Sequence, residues 1–473
     1  MAERLVRLWA AALLLLFACL LQFSALTRDQ RFLPDEAHFM TFARRAAVQG
    51  DWLLPGALDK PPLSIYLSAI SMVFVGVTSD ANGLLRLDAQ VGEFAGKLPN
   101  SLGAVLAVAL MTRLGAQIGG GTRGALLAGL LTACSPYLLM YGGSAFTDMS
   151  LLCFGLAAVS CGLSQRWAWS GALLGLAFCC KPQALFLLPL LLMLPLYRRA
   201  ARSAWLRMIL AMLLVCALLL LWDAARPETS LFQLAAANNL TADIIASPGS
   251  WRSRLVAWLA VAGWLLGPPL ISGIFVAVAL LNWRKRQERR IVLALLTIVA
   301  AFIATHSFLN LNLYARYLLL ILPPLVLFVA CSISSRRRFC IVVALLACTG
   351  VLWTLQQGSP LEESRSQHAG IDALAGYLNP KPVATVIYDP WLGWQLDYYL
   401  GAWHDKRRVH YPTAHKLAAG AAALDERDYR YFVAPVGIAY EPWLAALQAQ
   451  GFAVEMDFQS ENYLAWRLQP ALE

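Results

Sequence analysis

The sequence predicts a polytopic α-helical membrane protein with a small α/β domain at its C-terminal end. Of the 473 residues, 59% are hydrophobic and only 14% are charged. The apolar residues form repeated runs of roughly 16–22, the length that crosses a bilayer as a helix. After Trp353 the composition changes, and charged residues and tyrosines become frequent. A single soluble core cannot absorb so many apolar runs.

The first apolar run, 8–26, follows two arginines and resembles a signal peptide in that respect. It is long for a signal peptide, and no convincing small-residue cleavage site follows it. We therefore interpret it as a retained membrane anchor. With the N-terminus in the cytoplasm, this anchor delivers the chain from Arg28 onward to the outer side.

Basic residues concentrate in three short tracts between apolar runs, at 198–207, 284–290 and 336–338. The run 63–77 decides where these tracts lie, because counting it as a span would put all three outside. As a helix lying along the membrane interface, it leaves all three in the cytoplasm, in accord with the positive-inside rule. The same distribution accounts for the net charge of +10, so we expect no nucleic-acid partner.

The apolar runs predict about eleven crossings at the usual span length. The predicted spans are 8–26, 97–117, 123–141, 149–164, 168–180, 183–197, 206–223, 262–282, 291–305, 317–334 and 339–355. The transmembrane domain is thus predicted to cover 1–355, with a first outer loop at 27–96 and a long outer loop at about 223–261. Five polar elements fall on the outer side: the first loop, 142–149, 181–182, the long loop and 306–317. The orientation follows from the basic tracts and is independent of the candidate catalytic residues, so the collection of these residues on one side favours an active site there.

Residues 356–473 are predicted to form the α/β domain, on the outer side because the number of crossings is odd. Alternating β-prone and helix-like runs are typical of such a domain. The predicted strands are 383–388, 431–435, 452–458 and 463–468, and the predicted helices are 366–377, 414–424 and 442–450.

All ten cysteines lie in or beside the apolar runs, where cysteine acts mostly as a small hydrophobe. The sequence therefore predicts neither a disulfide framework nor a zinc site. It also contains no Walker loop, no GxSxG elbow and no histidine-rich metal spacing. No cofactor is predicted; a divalent metal is compatible with this class of protein, but no site for one is evident.

The stretch 32–63 contains an adjacent carboxylate pair, Asp35 and Glu36, at the start of a predicted helix 35–48. Pro34 and acidic residues suit the first turn of a helix, so a helix cap is the simplest interpretation. At a membrane surface, however, unpaired carboxylates are costly and tend to be functional. We therefore predict that one carboxylate of this pair is a general base for an acceptor hydroxyl.

Several cations are candidates for binding a phosphate. Lys60 precedes Pro61-Pro62, and either reaches the lipid headgroups or binds a lipid phosphate. Arg316-Tyr317, at the outer end of a predicted span, has the same two interpretations. For Arg252 and Arg254 in the long outer loop, ordinary loop charges are an equal alternative.

Two further polar residues are predicted to line a cavity beside Asp35. Asp148 begins a span and either caps it or faces the cavity. His38 lies on the same helix face as Asp35 one turn later, and a structural role is the preferred alternative for it.

The stretch 32–63 resembles the first extracytoplasmic loop of the GT-C glycosyltransferases, most of all the branch of bacterial aminoarabinose transferase and the protein O-mannosyltransferases. The shared pattern is an acidic pair, a helix, Gly-Asp-Trp-Leu-x-Pro and Lys-Pro-Pro-Leu, here at 35–36, 50–55 and 60–63. The resemblance extends to Asp148, to Arg316-Tyr317 ahead of a diproline, and to a small outer C-terminal domain.

This resemblance implies a GT-C fold and the transfer of a sugar from a polyprenyl-phosphate carrier such as undecaprenyl phosphate, with inversion at the sugar. The reaction would take place at the outer face of the bacterial inner membrane, as in modification of lipopolysaccharide. The resemblance assigns the base to Asp35, with Glu36 as a weaker partner, and the carrier phosphate to Lys60 with Tyr317 or Arg316. The acceptor stays open between lipid A, a glycan, a protein and another lipid.

The match is poorer in the long outer loop. There the family has an arginine that assists the phosphate, a place that Arg252 or Arg254 would take. The aminoarabinose enzymes also have a histidine in that loop, whereas Asn238-Asn239 occupies the nearest region here. No metal site is therefore transferred from the resemblance.

Two other functions are alternatives for a membrane protein of this kind. A transporter or flippase of lipid-linked sugars is expected to have mid-membrane charges and broken helices related by an internal repeat, and the sequence contains neither. An O-antigen ligase or polymerase relies on arginine and histidine in its outer loops. The acidic pair and Lys-Pro-Pro-Leu argue against that alternative.

Overall fold

The computed structural model describes residues 2–239, 244–283, 289–310, 312, 314–358, 365–424 and 429–470. The chain divides into two compact units. The helical unit comprises Met1–Arg28, Leu53–Ser68 and Lys97–Glu362, and the α/β unit comprises Asp29–Trp52, Ala69–Gly96 and Glu363–Glu473. The predicted first outer loop is therefore divided between the two units.

The elements up to residue 358 are mainly helical. In chain order they are α1 (Ala2–Leu26), α2 (Pro34–Gln49), α3 (Leu63–Val75), β1 (Thr78–Ser79), β2 (Leu85–Arg86), α4 (Ala89–Gln117), α5 (Gly121–Ala133), α6 (Pro136–Gly142), α7 (Asp148–Leu163), α8 (Trp167–Cys180), a first 3₁₀-helix (Pro182–Leu187), α9 (Leu188–Tyr197), α10 (Arg202–Ala225), α11 (Leu231–Asn239), α12 (Pro248–Ala262), α13 (Pro269–Trp283), α14 (Arg289–Phe308), a second 3₁₀-helix (Ala315–Leu320), α15 (Leu322–Ile333) and α16 (Arg337–Gln357).

Four described helices are long and apolar enough to cross a bilayer: α1 from Leu8 onward, α4, α10 and α16. A fifth span is possible if α5 and α6 act together, although they meet at a bend of 56°. The bend precedes Pro136, which has no backbone N–H to continue the helical hydrogen bonds. The other apolar helices have 10–17 residues. The chain is thus a multi-pass membrane protein, but the predicted count of about eleven crossings is not confirmed.

The predicted helices 35–48 and 63–77 are present as α2 and α3. The predicted span 262–282 differs, because α13 begins only at Pro269 and the predicted long loop contains α11 and α12. The break after α12 includes Gly267, whose φ of 146° favours glycine. The basic tract at 284–288 lies outside the described residues.

Helix α4 begins earlier than the predicted span at 97, because its first turns carry Glu93 and Lys97 and so lack an apolar pattern. In the helical unit, α8 packs between α7 and α10. A Cβ atom on Gly171 of α8 would lie 1.8 Å from the Met208 carbonyl oxygen of α10. Glycine at this position therefore allows the two backbones to approach closely, as is usual between membrane helices.

The rest of the α/β unit follows residue 364. Its elements are a third 3₁₀-helix (Arg365–His368), α17 (Ile371–Leu378), β3 (Val386–Tyr388), α18 (Trp394–Leu400), β4 (Arg407–Val409), α19 (Ala414–Ala422), β5 (Arg430–Pro435), α20 (Glu441–Ala449), β6 (Phe452–Gln459) and β7 (Tyr463–Pro470).

Five of these strands form one mixed sheet in the order β4-β3-β5-β7-β6. Strand β3 pairs in parallel with β4 and β5, whereas β7 pairs antiparallel with β5 and β6. Tyr388, Phe432 and Trp466 pack on one face against Leu417 of α19 and Leu447 of α20. The four predicted strands are all present, and β4 and α18 are additional. Both are short, and β4 begins with two arginines, so neither has a clear apolar pattern.

Candidate active site

A buried ion pair joins the start of α7 to the end of α8 in the helical unit. Asp148 is the first residue of α7, and Lys181 directly follows α8. The Lys181 Nζ atom lies 2.6 Å from Asp148 Oδ1, and the two side chains are only 5% and 6% exposed. Because α7 and α8 pack side by side, residues far apart in sequence meet at one end of the pair. The dipole of α7 also favours a carboxylate at this position.

Arg316 and Tyr317, near the start of the second 3₁₀-helix, complete the group. Arg316 Nε lies 3.9 Å from Asp148 Oδ2, and Lys181 Nζ lies 4.4 Å from the centre of the Tyr317 ring. The Arg316 guanidinium also lies 4.4 Å from the centre of the Phe146 ring. Such cation–π contacts stabilise positive charges that are removed from water. We call Asp148, Lys181, Arg316 and Tyr317 the cation cluster; it carries two cations for one carboxylate.

The turn that leads into α7 is fixed by Asn100 of α4. The Asn100 side-chain amide donates to the carbonyl oxygens of Ser144 and Phe146, at 2.8 and 2.6 Å. Its own oxygen accepts a hydrogen bond of 3.0 Å from the Ser150 hydroxyl. These buried hydrogen bonds hold the Phe146 ring and Asp148 in place.

Lys60 also belongs to the helical unit. Its Nζ atom lies 2.7 Å from Asp59 Oδ2, and both side chains are largely buried. The preceding turn is held by Arg226, which donates to the carbonyl oxygens of Leu54 and Gly56 at 3.0 and 2.6 Å. The position of Lys60 is therefore set by a buried arginine as well as by its two prolines.

Charge from Lys60 also affects the cation cluster. Burial is the largest cause that lowers the pKa of Lys181, and the positive charges of Arg316 and Lys60 lower that pKa further, while Asp148 opposes them. These three cations therefore act on one another. An anion that binds among them would relieve their repulsion.

The two arginines of the predicted long loop lie on α12. Arg254 donates to the carbonyl oxygens of His306 and Leu309, at 3.3 and 2.8 Å, and so caps the end of α14. Arg252 is exposed. The contacts of Arg254 are those of a structural residue, and phosphate binding by either arginine stays a prediction.

In the α/β unit, Asp35 and Glu36 occupy the first turn of α2 after Pro34. Asp35 is exposed, whereas Glu36 is fully buried. Glu36 Oε2 accepts a hydrogen bond of 2.9 Å from the Leu33 backbone N–H, and the carboxylate pairs with Arg365 at 2.7 Å. Glu36 thus has the contacts of a helix cap and a buried ion pair, while Asp35 is accessible to a substrate.

His38 packs among aromatic side chains of the α/β unit. Its ring centre lies 4.7 Å from that of Trp394, 5.3 Å from that of Phe42 and 5.4 Å from that of Phe39. These contacts favour the structural interpretation of His38 over cavity lining.

Lys181 was not among the predicted site residues, although the residue was placed on the outer side. A signal for it exists in the sequence. Lys181-Pro182 repeats the Lys-Pro pair of Lys60-Pro61 and interrupts a long apolar run. An isolated lysine in such a run is costly unless it is paired or functional.

No three metal-ligating side chains lie together within the described ranges. In the predicted long outer loop, the Asn238 amide donates to Asp59 Oδ2 at 3.3 Å. The side chain of Asn239 lies outside the described residues.

The fold of this chain, a helical part followed by a small mixed sheet, is shared with solved structures. Solved structures that share the fold of this chain include ArnT from Cupriavidus metallidurans bound to undecaprenyl phosphate and the same protein in the apo state. The chain is 14% identical in sequence to each, with TM-scores of 0.66 and 0.65. In both comparisons 96% of this chain and 97% of the ArnT chain are covered. No protein-family model matches the sequence, and no curated protein matches it significantly.

Proposed function

We propose that the protein is an inverting glycosyltransferase whose donor is a sugar linked to a polyprenyl phosphate. The observation that carries this proposal is the buried cation cluster in a chain that shares its fold with ArnT, one structure of which contains undecaprenyl phosphate. A lipid phosphate is the anion that suits cations in a membrane protein. The proposed location is the outer face of the bacterial inner membrane.

The donor phosphate is proposed to bind to Lys60, Lys181, Arg316 and Tyr317. Lys181 and Arg316 are both buried and lie beside the same carboxylate, that of Asp148. In such a site an anion is stabilised more strongly than in water. Asp148 holds both cations in position before the donor arrives.

In the proposed reaction the acceptor hydroxyl loses its proton to the Asp35 carboxylate while its oxygen bonds to the anomeric carbon. The bond from that carbon to the phosphate oxygen breaks, and the carrier phosphate leaves with the electron pair. One displacement of this kind inverts the anomeric centre. The cations stabilise the charge that develops on the departing phosphate, and Asp35 acts as general base. The acceptor is proposed to be a hydroxyl of lipid A, a glycan, a protein or another lipid.

The test uses the purified full-length protein with a panel of polyprenyl-phosphate sugars and membrane-lipid or glycan acceptors. We expect at least one donor to release its carrier phosphate together with a glycosylated product of inverted configuration. Asp35→Asn serves as the matched inactive control. If no donor of the panel is consumed by the wild type, the proposal is refuted.

A further inference from the structure

The segment 31–33 lies directly before α2 and is buried. It belongs to no helix or strand, and Leu33 is extended, with φ −66° and ψ 158°. Its backbone N–H and C=O groups therefore need partners other than a helix or sheet ladder, because buried backbone groups without hydrogen bonds are costly.

Side chains from the C-terminal part of the α/β unit supply those partners. The Phe32 N–H donates to the Tyr399 hydroxyl at 2.8 Å, and the Gln395 amide donates to the Phe32 carbonyl oxygen at 2.8 Å. The Arg365 guanidinium donates to the Arg31 carbonyl oxygen at 3.2 Å. Three separate C-terminal residues thus hold a segment that lies more than 300 positions earlier in the chain.

Arg365 has a second and stronger contact with the start of α2. Its two terminal nitrogens donate to the two oxygens of Glu36, at 2.7 and 3.1 Å. A two-point arginine–carboxylate contact fixes orientation as well as distance. Since Glu36 directly follows Asp35 and also accepts from the Leu33 N–H, this contact fixes the first turn of α2.

We infer that Arg365, Gln395 and Tyr399 are positioning residues that aim the Asp35 carboxylate at the acceptor, so that the C-terminal part of the chain sets the geometry of the base. The inference rests on the proposed function, in which Asp35 is the base. Displacing a reacting group by 1 Å can cost about 10²-fold in rate. None of the three residues needs to touch the substrate for this role.

Kinetics of single variants test the inference. Arg365→Lys keeps the charge but loses the two-point contact, and Gln395→Leu removes the hydrogen bond to the Phe32 carbonyl oxygen together with the one to the His368 side chain. We expect kcat to fall about ten-fold or more in each variant, with the donor KM unchanged, because the base acts only in the chemical step. Arg467→Lys is the matched control: Arg467 pairs with Glu455 at 2.6 Å on the exposed side of the same unit, and we expect its kcat to stay at the wild-type value.

A rescue experiment separates positioning from stability. Arg365→Gln leaves the Glu36 carboxylate buried without its cation, whereas the double variant Glu36→Gln, Arg365→Gln replaces the ion pair by two amides that can hydrogen-bond. We expect the double variant to recover much of the kcat that Arg365→Gln loses, measured per folded protein.

The outcomes distinguish the two proposals. A wild type that transfers no sugar refutes the proposed function and this inference with it. An active wild type whose Arg365→Lys and Gln395→Leu variants keep kcat within about two-fold refutes the positioning role alone. A rise in donor KM at constant kcat also refutes it. If Arg365→Lys fails to fold, Gln395→Leu decides, since it leaves the Glu36–Arg365 ion pair in place.

Discussion

Replacing Lys181 by methionine removes one of the two cations that compensate Asp148. In the wild type, Lys181 Nζ lies 2.6 Å from the carboxylate, and both side chains are almost fully buried. After the substitution, Arg316 Nε, 3.9 Å from the other carboxylate oxygen, is the closest remaining ionic partner that the described residues offer. Asp148 also keeps its place at the N-terminus of α7. The carboxylate is then compensated only in part.

Removing one partner of a buried ion pair typically costs 3–5 kcal/mol. Because Arg316 and the dipole of α7 still favour the carboxylate, we expect the lower end of that range, about 3 kcal/mol. The double variant Asp148→Asn, Lys181→Met contains neither charge of the pair, so it should regain most of this loss. Transfer should behave differently, since both variants lack a cation that stabilises the departing phosphate. We expect kcat to fall by about 10²–10³ in each.

Thermal unfolding of the purified protein in detergent, followed by tryptophan fluorescence, measures the change in stability. Release of carrier phosphate measures the change in the transfer rate. The expected pattern is a low midpoint in Lys181→Met, a recovered midpoint in the double variant, and weak transfer in both. A single variant as stable as the wild type would refute the ion-pair reasoning. Wild-type transfer by the double variant would refute the phosphate role of Lys181.

Three further predictions concern other residues. Asp35→Asn should abolish transfer and lower the free energy of unfolding by no more than about 1 kcal/mol, the contribution of an exposed carboxylate in the first turn of a helix; transfer at the wild-type rate would exclude Asp35 as the base. Arg254→Gln should lower the free energy of unfolding by about 1–3 kcal/mol through two lost caps on α14, whereas Arg252→Gln should change it little; equal midpoints for the two variants would contradict this. Burial is the largest cause that lowers the pKa values of His368 and His404. Below the histidine pKa of about 6.5 in the unfolded chain, the unfolded state binds more protons than the folded state. The stabilisation should therefore be complete above about pH 6.5 and be lost progressively as the pH falls below that value. The midpoint should drop between about pH 7.5 and pH 5.5, and a His368→Gln, His404→Gln variant should show a smaller drop.

Much of the fold was predictable because a bilayer imposes length and polarity on each helix. The starts of α7 and α13 show where this reasoning succeeds and fails. Helix α7 begins at Asp148, one residue from the predicted 149, since an acidic residue marks a helix start. Helix α13 begins seven residues after the predicted 262, because the chain breaks at Gly267 and Pro268 inside an apolar run. Hydrophobicity alone does not register such a break.

The contacts of the candidate site were less predictable, because they join distant parts of the chain. Asp148 and Lys181 were each visible as isolated charges, but their pairing depends on the packing of α7 against α8. Glu36 and Arg365 form a stronger example. The sequence around Glu36 does not indicate Arg365, and the sequence around Arg365 does not indicate Glu36. The Glu36 carboxylate, predicted to be a weaker partner of the base, lies in a buried ion pair.

The two carboxylates of the opening motif therefore have different physical environments, although they are adjacent in sequence. Glu36 is buried and paired, and its removal would leave Arg365 without its anion, a change that costs stability whatever the enzyme does. Asp35 is exposed at the start of the same helix, where replacement by asparagine removes the charge and leaves no cavity. A loss of transfer in Asp35→Asn therefore reports on chemistry. A loss in Glu36→Gln reports on chemistry only if the folded fraction is measured alongside it.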